Sequence, residues 1–262
     1  MSELPEGVHM SIEKFQGLAQ EYAKYRPSYP EELYRFLYSN LGFSRASTVA
    51  DIGAGTGIFS SPLIEKGLEV YCVEPNEDMK KKMDEKLGSY ENYFGVCASA
   101  EHTTLPDKSV DYIVCAQAFH WFDRALFKRE CQRILSHREN YVMLIWNVRA
   151  ENDCLNQEHY DINRQYCPDF KGFSGGMSDI DPSQFDDFFS DSPCNFKTFE
   201  NSITFDSEDA FLSRCLTASY SPREADDNYR QYTNALRNLY RKYAAEQKLL
   251  IENNSIIYWG TL

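Results

Sequence analysis

The feature that most restricts how this chain can fold is a short apolar strand running straight into three alternating glycines, Val49-Ala50-Asp51-Ile52-Gly53-Ala54-Gly55-Thr56-Gly57. Side chains at the glycine positions would collide with a ligand lying across the turn. Glycine lets the backbone turn tightly and approach such a ligand, while amides at the start of a following helix favour a negative group such as a carboxylate. The spacing is GxGxG. A dinucleotide fingerprint needs its third glycine at position 58, where this chain has Ile58, which argues against NAD and FAD and so against an oxidoreductase.

Around this loop, β-rich runs alternate with helix-like stretches, the pattern of parallel strands joined by crossover helices. Strands are predicted at 48–52, 69–73, 93–98, 110–115 and 141–146, and helices at 56–66, 76–87 and 123–135, with a turn at 100–105. Upstream, Ile12, Phe15, Leu18, Ala19 and Tyr22 recur at helical spacing over residues 11–25 until Pro27 and Pro30 interrupt. Pro30 then suits the start of a helix over 31–41. Downstream, glycines and a run of acids and aromatics over 149–192 predict a mobile, helix-containing cap. A strand at 196–205, helices at 207–216 and 225–249, and an apolar strand at 255–259 complete the reading.

The second strand ends at Glu74, twenty-one residues beyond Gly53 (74 − 53 = 21). In a doubly wound sheet an acid at this point accepts hydrogen bonds from both ribose hydroxyls of a nucleoside ligand. With the loop and this acid stand Val73-Glu74-Pro75-Asn76 with Met79, Ser99-Ala100-Glu101, and the run from Asp111 through Gln117-Ala118-Phe119-His120-Trp121. In these motifs and their order the chain resembles the class I S-adenosylmethionine-dependent methyltransferases, in the branch of trans-aconitate and ubiquinone/menaquinone-type enzymes. The resemblance covers most of residues 15–147.

It implies an α/β, Rossmann-like, seven-stranded, mostly parallel sheet with helices on both faces, the last strand antiparallel, plus a helical cap. The cofactor implied is S-adenosylmethionine, with S-adenosylhomocysteine as product. Carried over by residue, Asp51, Gly53 and Gly55 hold the methionine part and Glu74 the ribose, with Ala54 and Gly57 of the same loop also among the cofactor-binding residues. Pro75 and Met79 flank the adenine, although Met79 at helical spacing from Met83 also reads as core. Ser99, Ala100 and Glu101 approach the adenine edge, and Gln117, Ala118 and Phe119 close over the cofactor. Tyr22 and Arg26 cover it from the N-terminal helix.

Methyl transfer from a sulfonium demands orientation and exclusion of water, and needs a base only where the acceptor must lose a proton. His120 and Trp121 fall at the pocket mouth by the same resemblance. His120 has the intrinsic pKa of a general base, and beside Phe and Trp it reads equally as a packed structural residue. Tyr25 and Arg26 join the substrate side. Arg26 offers a bidentate fork to a carboxylate of cofactor or acceptor, or is a helix-end cation. Arg149 and Arg223 are further cations for an acidic acceptor. Tyr160, Tyr166, Phe170, Phe173, Tyr220 and Tyr232 read as an aromatic pocket or as ordinary packing.

Forty Asp and Glu against 27 Lys and Arg give a formal charge of −13, so the overall field repels nucleic acid. The five histidines form no ligand-spaced cluster, and no metal is expected. Eight cysteines without a CxxC pair read as reduced thiols, and a polar N-terminus with no long apolar run predicts a cytoplasmic protein without a membrane span. One domain is expected, with N-terminal helices over the cofactor site at 1–47, the binding core at 48–147, and the cap and closing strands at 148–262. The expected function is methyl transfer to a small molecule, with a carboxylic acid first. C-methylation of a quinone-type or aromatic metabolite, and non-catalytic binding of the cofactor or its product, stand as alternatives.

Overall fold

The computed structural model describes residues 28–150, 153–173, 182–189 and 194–262. The helix predicted over 11–25, with Tyr22, Tyr25 and Arg26, lies outside the described residues.

Helix α1 (Glu31–Asn40) leads into β1 (Thr48–Ile52), α2 (Ser60–Glu65), β2 (Glu69–Val73), α3 (Glu77–Leu87), β3 (Tyr93–Val96), β4 (Tyr112–Ala116), α4 (Arg124–Ile134) and β5 (Val142–Arg149). Next come α5 (Cys154–Tyr166), β6 (Asn195–Glu200), β7 (Ile203–Phe205), α6 (Glu208–Leu216), α7 (Tyr229–Tyr243), β8 (Leu249–Ile251) and β9 (Asn253–Gly260). Seven strands form one sheet in the order β3-β2-β1-β4-β5-β9-β6. Strands β1 to β5 pair in parallel, and β9 runs antiparallel between β5 and β6. The expected architecture, with one reversed strand formed by the last apolar run, is what folds.

The central strands β1, β4 and β5 are largely apolar because both faces are covered. In β5 the seven residues from Val142 to Val148 are all buried. Side chains of alternate residues enter opposite layers: Val49, Met143 and Ile145 pack with Leu33 and Leu37 of α1, Leu63 of α2 and Met83 of α3. Ala50, Ile52, Leu144 and Trp146 pack with Phe127, Cys131 and Ile134 of α4. Capping starts the helices where the sequence suggests: Asn76 accepts the Met79 N–H, Asp123 those of Ala125 and Leu126, and Ser207 that of Ala210.

Four elements depart from the sequence reading. Helix α2 begins at Ser60 rather than Thr56, because Gly57 has φ +74°, a left-handed backbone that no right-handed helix can include. The strand predicted over 196–205 divides into β6 and β7 at Asn201, whose N–H still bonds the Asn253 carbonyl (2.8 Å) while its side-chain amide reaches the Ser28 carbonyl (2.9 Å), Asn147 Oδ1 (3.1 Å) and Ser255 Oγ (3.0 Å). The helix predicted over 225–249 ends at Tyr243. A tight turn with Glu246 and Gln247 at positive φ reverses the chain there, and Leu249 to Ile251 pair with β7. Phe185, Phe188 and Phe189, from the aromatic run assigned to the cap, are buried against the sheet with Phe119, Phe127 and Trp146. The cap has its own core, formed by Leu155, Phe211, Tyr232, Leu236 and Leu239 with Leu249 and Ile251 of the ribbon.

A methyl group added at Gly57 would stand 2.7 Å from Leu87 Cδ1 and 3.1 Å from Met83 Cγ. Gly57→Ala combines that crowding with backbone strain, so a loss of about 1–3 kcal/mol is expected. Urea unfolding checks it: a lower midpoint at unchanged slope is the expected outcome, and an unchanged midpoint would show that the turn does not need glycine.

Candidate functional site

Strand register builds the site. Ile52 pairs with Val73, so Gly53 and Glu74 leave the sheet together at its C-terminal edge. The Val73 carbonyl accepts the Gly53 and Ala54 N–H groups at 2.9 and 3.1 Å. Glu74 then accepts the Gly55 N–H on Oε2 at 2.8 Å and the Asn76 N–H on Oε1 at 2.9 Å. The acid of the second strand thereby holds the loop of the first. A Cβ at Gly53 would lie 2.5 Å from that of Ala118, whereas one at Gly55 meets nothing within 4 Å, since Gly55 opens on a cavity.

That cavity, about 520 Å³, runs from the glycine loop to the cap, a volume ordinary for a small-molecule site. Asp51, Gly53, Ala54, Gly55 and Glu74 line its sheet end, with Pro75 and Met79 beside them. Gln117, Ala118, His120 and Trp121 form the wall after β4. Gln117 has φ +62°, a strained backbone for a non-glycine residue, with its N–H given to the Ile145 carbonyl at 2.8 Å.

The remaining candidates stand apart from the lining. Gly57 packs on α3. Ser99 and Ala100 are buried, and Glu101 accepts the Asp123 N–H at 3.1 Å. Phe119 is wholly buried among Phe127, Phe185, Phe188 and Trp146, behind the wall rather than over the cavity. Of the downstream aromatics, Phe173 and Tyr220 reach the cavity, Tyr232 is enclosed in the cap core, and Tyr160 is exposed. Arg149 lines the cavity; Arg223 is an exposed residue outside it.

Sequence reasoning passed over Thr56, Asn76 and Tyr29, which also line the sheet end, and His159, Arg214 and Phe211 at the cap end. Thr56 and Asn76 had a signal in their place within or beside the motifs. His159 and Arg214 had none, because α5 and α6 bring them in from far along the chain.

The sheet end is acidic and enclosed. Burial raises Asp51 to about 7 against the opposing hydrogen bond from Ser60 Oγ (2.5 Å), and the nearby Glu74 charge raises it further. Asp51 Oδ1 is buried without a hydrogen-bond partner among the described residues. Burial raises Glu74 to about 6, opposed by the Asn76 and Gly55 amides. An unsatisfied buried carboxylate oxygen is costly, and a cation delivered to this end relieves that cost. A ligand with an ammonium group, hydroxyls for Glu74 and a flat base beside Pro75 and Met79 fits these donors and walls, as S-adenosylmethionine does.

A strand-to-glycine-loop site at the switch point of a 3-2-1-4-5 sheet, closed by a reversed strand, defines a class I methyltransferase architecture. Comparison with known proteins agrees. Residues 50–141 match the methyltransferase domain family. A methyltransferase-named protein of Dictyostelium discoideum is 33% identical over 181 residues, covering 65% of this chain and 66% of the relative. An uncharacterized methyltransferase of Mycobacterium tuberculosis is 36% identical over 130 residues, half of each chain. The chain thus spans from half to about two thirds of the curated relatives it matches. A solved structure described as a type II methyltransferase, from Anaeromyxobacter dehalogenans, superposes with a TM-score of 0.61 at 24% identity, over 90% of this chain and 97% of that one, a likeness of fold. The chain therefore carries a domain of the class I S-adenosylmethionine-dependent methyltransferases.

The buried acids make stability depend on pH. From about pH 4 to about pH 7 the folded protein retains a proton on Asp51 that the unfolded chain has lost, so stability falls as pH rises through this window. Asp51→Asn removes that contribution. Urea unfolding of the ligand-free protein is expected to show a flatter profile in the variant, diverging by on the order of 1–3 kcal/mol toward neutral pH. A profile as steep as the parent's would mean that Asp51 ionises freely.

Proposed function

We propose that this protein transfers a methyl group from S-adenosylmethionine to a small acidic molecule. The observation that carries the reading is the paired buried carboxylates, Asp51 and Glu74, beside a glycine whose missing side chain leaves the cavity open. Asp51 and the Gly53 to Gly55 backbone would hold the methionine part, Glu74 the ribose, and Pro75 and Met79 the base. Ser99, Ala100, Glu101, Gly57 and Phe119 then support this pocket from behind rather than by contact.

When bound, S-adenosylmethionine supplies a methyl group on a cationic sulfur, so transfer to an acceptor lone pair leaves the neutral thioether S-adenosylhomocysteine. The protein's own contribution is to orient the acceptor and exclude water. Gln117, His120 and Trp121 line the cavity from the segment after β4. An ionised acceptor needs no base; a hydroxyl acceptor would pass its proton to His120 or to water. Basic side chains at the cap end support an acidic acceptor over the apolar slot that C-methylation of a quinone would want.

Residues 1–47 would cover the cofactor, bringing Tyr22, Tyr25 and Arg26 to the cavity. In support, the Ser28 carbonyl is held by the Asn201 and Asn147 side-chain amides at 2.9 and 3.4 Å, and Tyr29 lines the cavity. Residues 148–262 would form the acceptor-side cap and close the sheet. Eight unbridged cysteines support a reducing, cytoplasmic setting, and no helix among the described residues is long and apolar enough to cross a membrane.

Calorimetric titration with S-adenosylmethionine, S-adenosylhomocysteine and NADH tests the assignment. Micromolar binding of the first two without NADH is expected, and absence of binding would make the glycine loop a purely structural turn. Glu74→Ala is expected to weaken cofactor binding by roughly 1.5–3 kcal/mol with the fold retained; unchanged affinity would remove Glu74 from the ribose role.

A further inference from the structure

Two carboxyl groups share the sheet end of the cavity, and the fold supplies them with donors unequally. Glu74 accepts a backbone N–H on each oxygen, from Gly55 at 2.8 Å and from Asn76 at 2.9 Å. An amide N–H can only donate, and such bonds are strongest to an ionised carboxylate. Asp51, wholly buried at the cavity wall, has a single donor, the Ser60 hydroxyl at 2.5 Å on Oδ2. Its Oδ1 has no hydrogen-bond partner among the described residues.

The groups packed around Asp51 bring no positive charge. Ser60 belongs to α2, Tyr34 to α1, Cys72 to β2 and Cys115 to β4, while Glu74 follows the end of β2. Burial first, and then the Asp51 charge, push the Tyr34 phenol and both thiols above their ordinary ranges, so all three stay neutral. No basic side chain among the described residues pairs with either carboxyl. Two neighbouring buried carboxyl groups do not readily ionise together. Glu74, with two fixed amides, is the one built to carry the charge, and Asp51, with one hydroxyl, the one left to keep a proton.

The cofactor reading above, on which this step rests, brings an α-ammonium group and a sulfonium to this end. We propose that the ligand-free protein holds a proton on Asp51 and that the cationic amino-acid end of S-adenosylmethionine displaces it, so that capturing the cofactor exchanges a proton for the ligand's positive charge. The Asp51 O–H bond breaks, the proton leaves to solvent, and the carboxylate left behind faces the incoming cation. The nucleoside part, held at Glu74, drives no such exchange. Affinity for the whole cofactor therefore weakens as pH falls, because the proton to be expelled is then bound more firmly.

The full chain is titrated calorimetrically with S-adenosylmethionine at pH 6.5 in PIPES and in Bis-Tris, whose different ionisation enthalpies turn proton release into a difference in heat. With Asp51 raised to about 7 and the ligand's amine still charged, roughly 0.5–1 proton released per ligand is expected. Binding is expected to be about fivefold tighter at pH 7 than at pH 6. Because Glu74 and His120 also line the cavity, the count is compared with that of Asp51→Asn, which should lose most of the release and of the pH dependence, a thermal melt confirming its fold. Release of less than about 0.2 proton by the parent would overturn the proposal without recourse to the variant. Undiminished release in a folded Asp51→Asn, or equal release on binding 5′-methylthioadenosine, which lacks the amino-acid end and the sulfonium, would overturn it as well. Failure of the parent to bind S-adenosylmethionine would instead sink the cofactor reading, and this inference with it.

Discussion

The Glu74 carboxylate, anchored at the end of β2 and closed onto the amides of Gly55 and Asn76, is the interaction on which the rest of the site depends. It joins two strand ends that parallel register has already set side by side, so the glycine loop is held by a charged acceptor rather than by packing alone. Hydrogen bonds to a carboxylate are stronger than those between neutral groups, and they offset part of what burial costs this acid. The same acid raises the neighbouring Asp51, so the loop is kept in shape at the expense of two adjacent buried carboxyl groups. A structure that needed only a turn would have little reason to retain both.

Charge is divided along the cavity. Asp51 and Glu74 line it beside the glycine loop, while Arg149, Lys171 and Arg214, together with Asp169, line it from elements farther along the chain. The protein's overall acidity says nothing about this arrangement, because net charge sums over the whole surface and the cavity samples a few residues.

What was legible in the sequence follows from how local each cause is. Strands β1 and β2 match their predicted bounds because an unbroken apolar run followed by a turn is a signal carried by the residues themselves. Glu74 was legible because the parallel register of two successive strands turns a sequence separation into a place. Helix α2 started late because one glycine's handedness outweighed the helical pattern around it, and β6 parts from β7 at Asn201, whose side chain is held by Asn147 and Ser255, partners that no local pattern announces. Phe119 looked like a lid from its motif, yet the aromatic layer brought in by residues 185–189 turned it inward. Of the cavity's arginines the sequence offered Arg149 but not Arg214, because Arg149, His159 and Arg214 come to one cavity only through the packing of three elements, a fact of tertiary structure with no local signature.

The reversed strand carries a consequence for how the molecule comes into being. Strand β9, residues 253–260, lies between β5 and β6, yet the ribosome makes it after every element of the cap. Until it emerges, β5, paired along its other edge with β4, presents one unpaired edge, and β6 has no neighbour to join. The nascent chain therefore spends the synthesis of about a hundred residues with a sticky, unpaired edge, a window in which pairing with a foreign strand competes with completion. The cap's core, gathered around Phe211 and Leu236 apart from the sheet's two layers, takes its last members, Leu249 and Ile251, from the strand made immediately before β9, so cap and sheet are completed almost together.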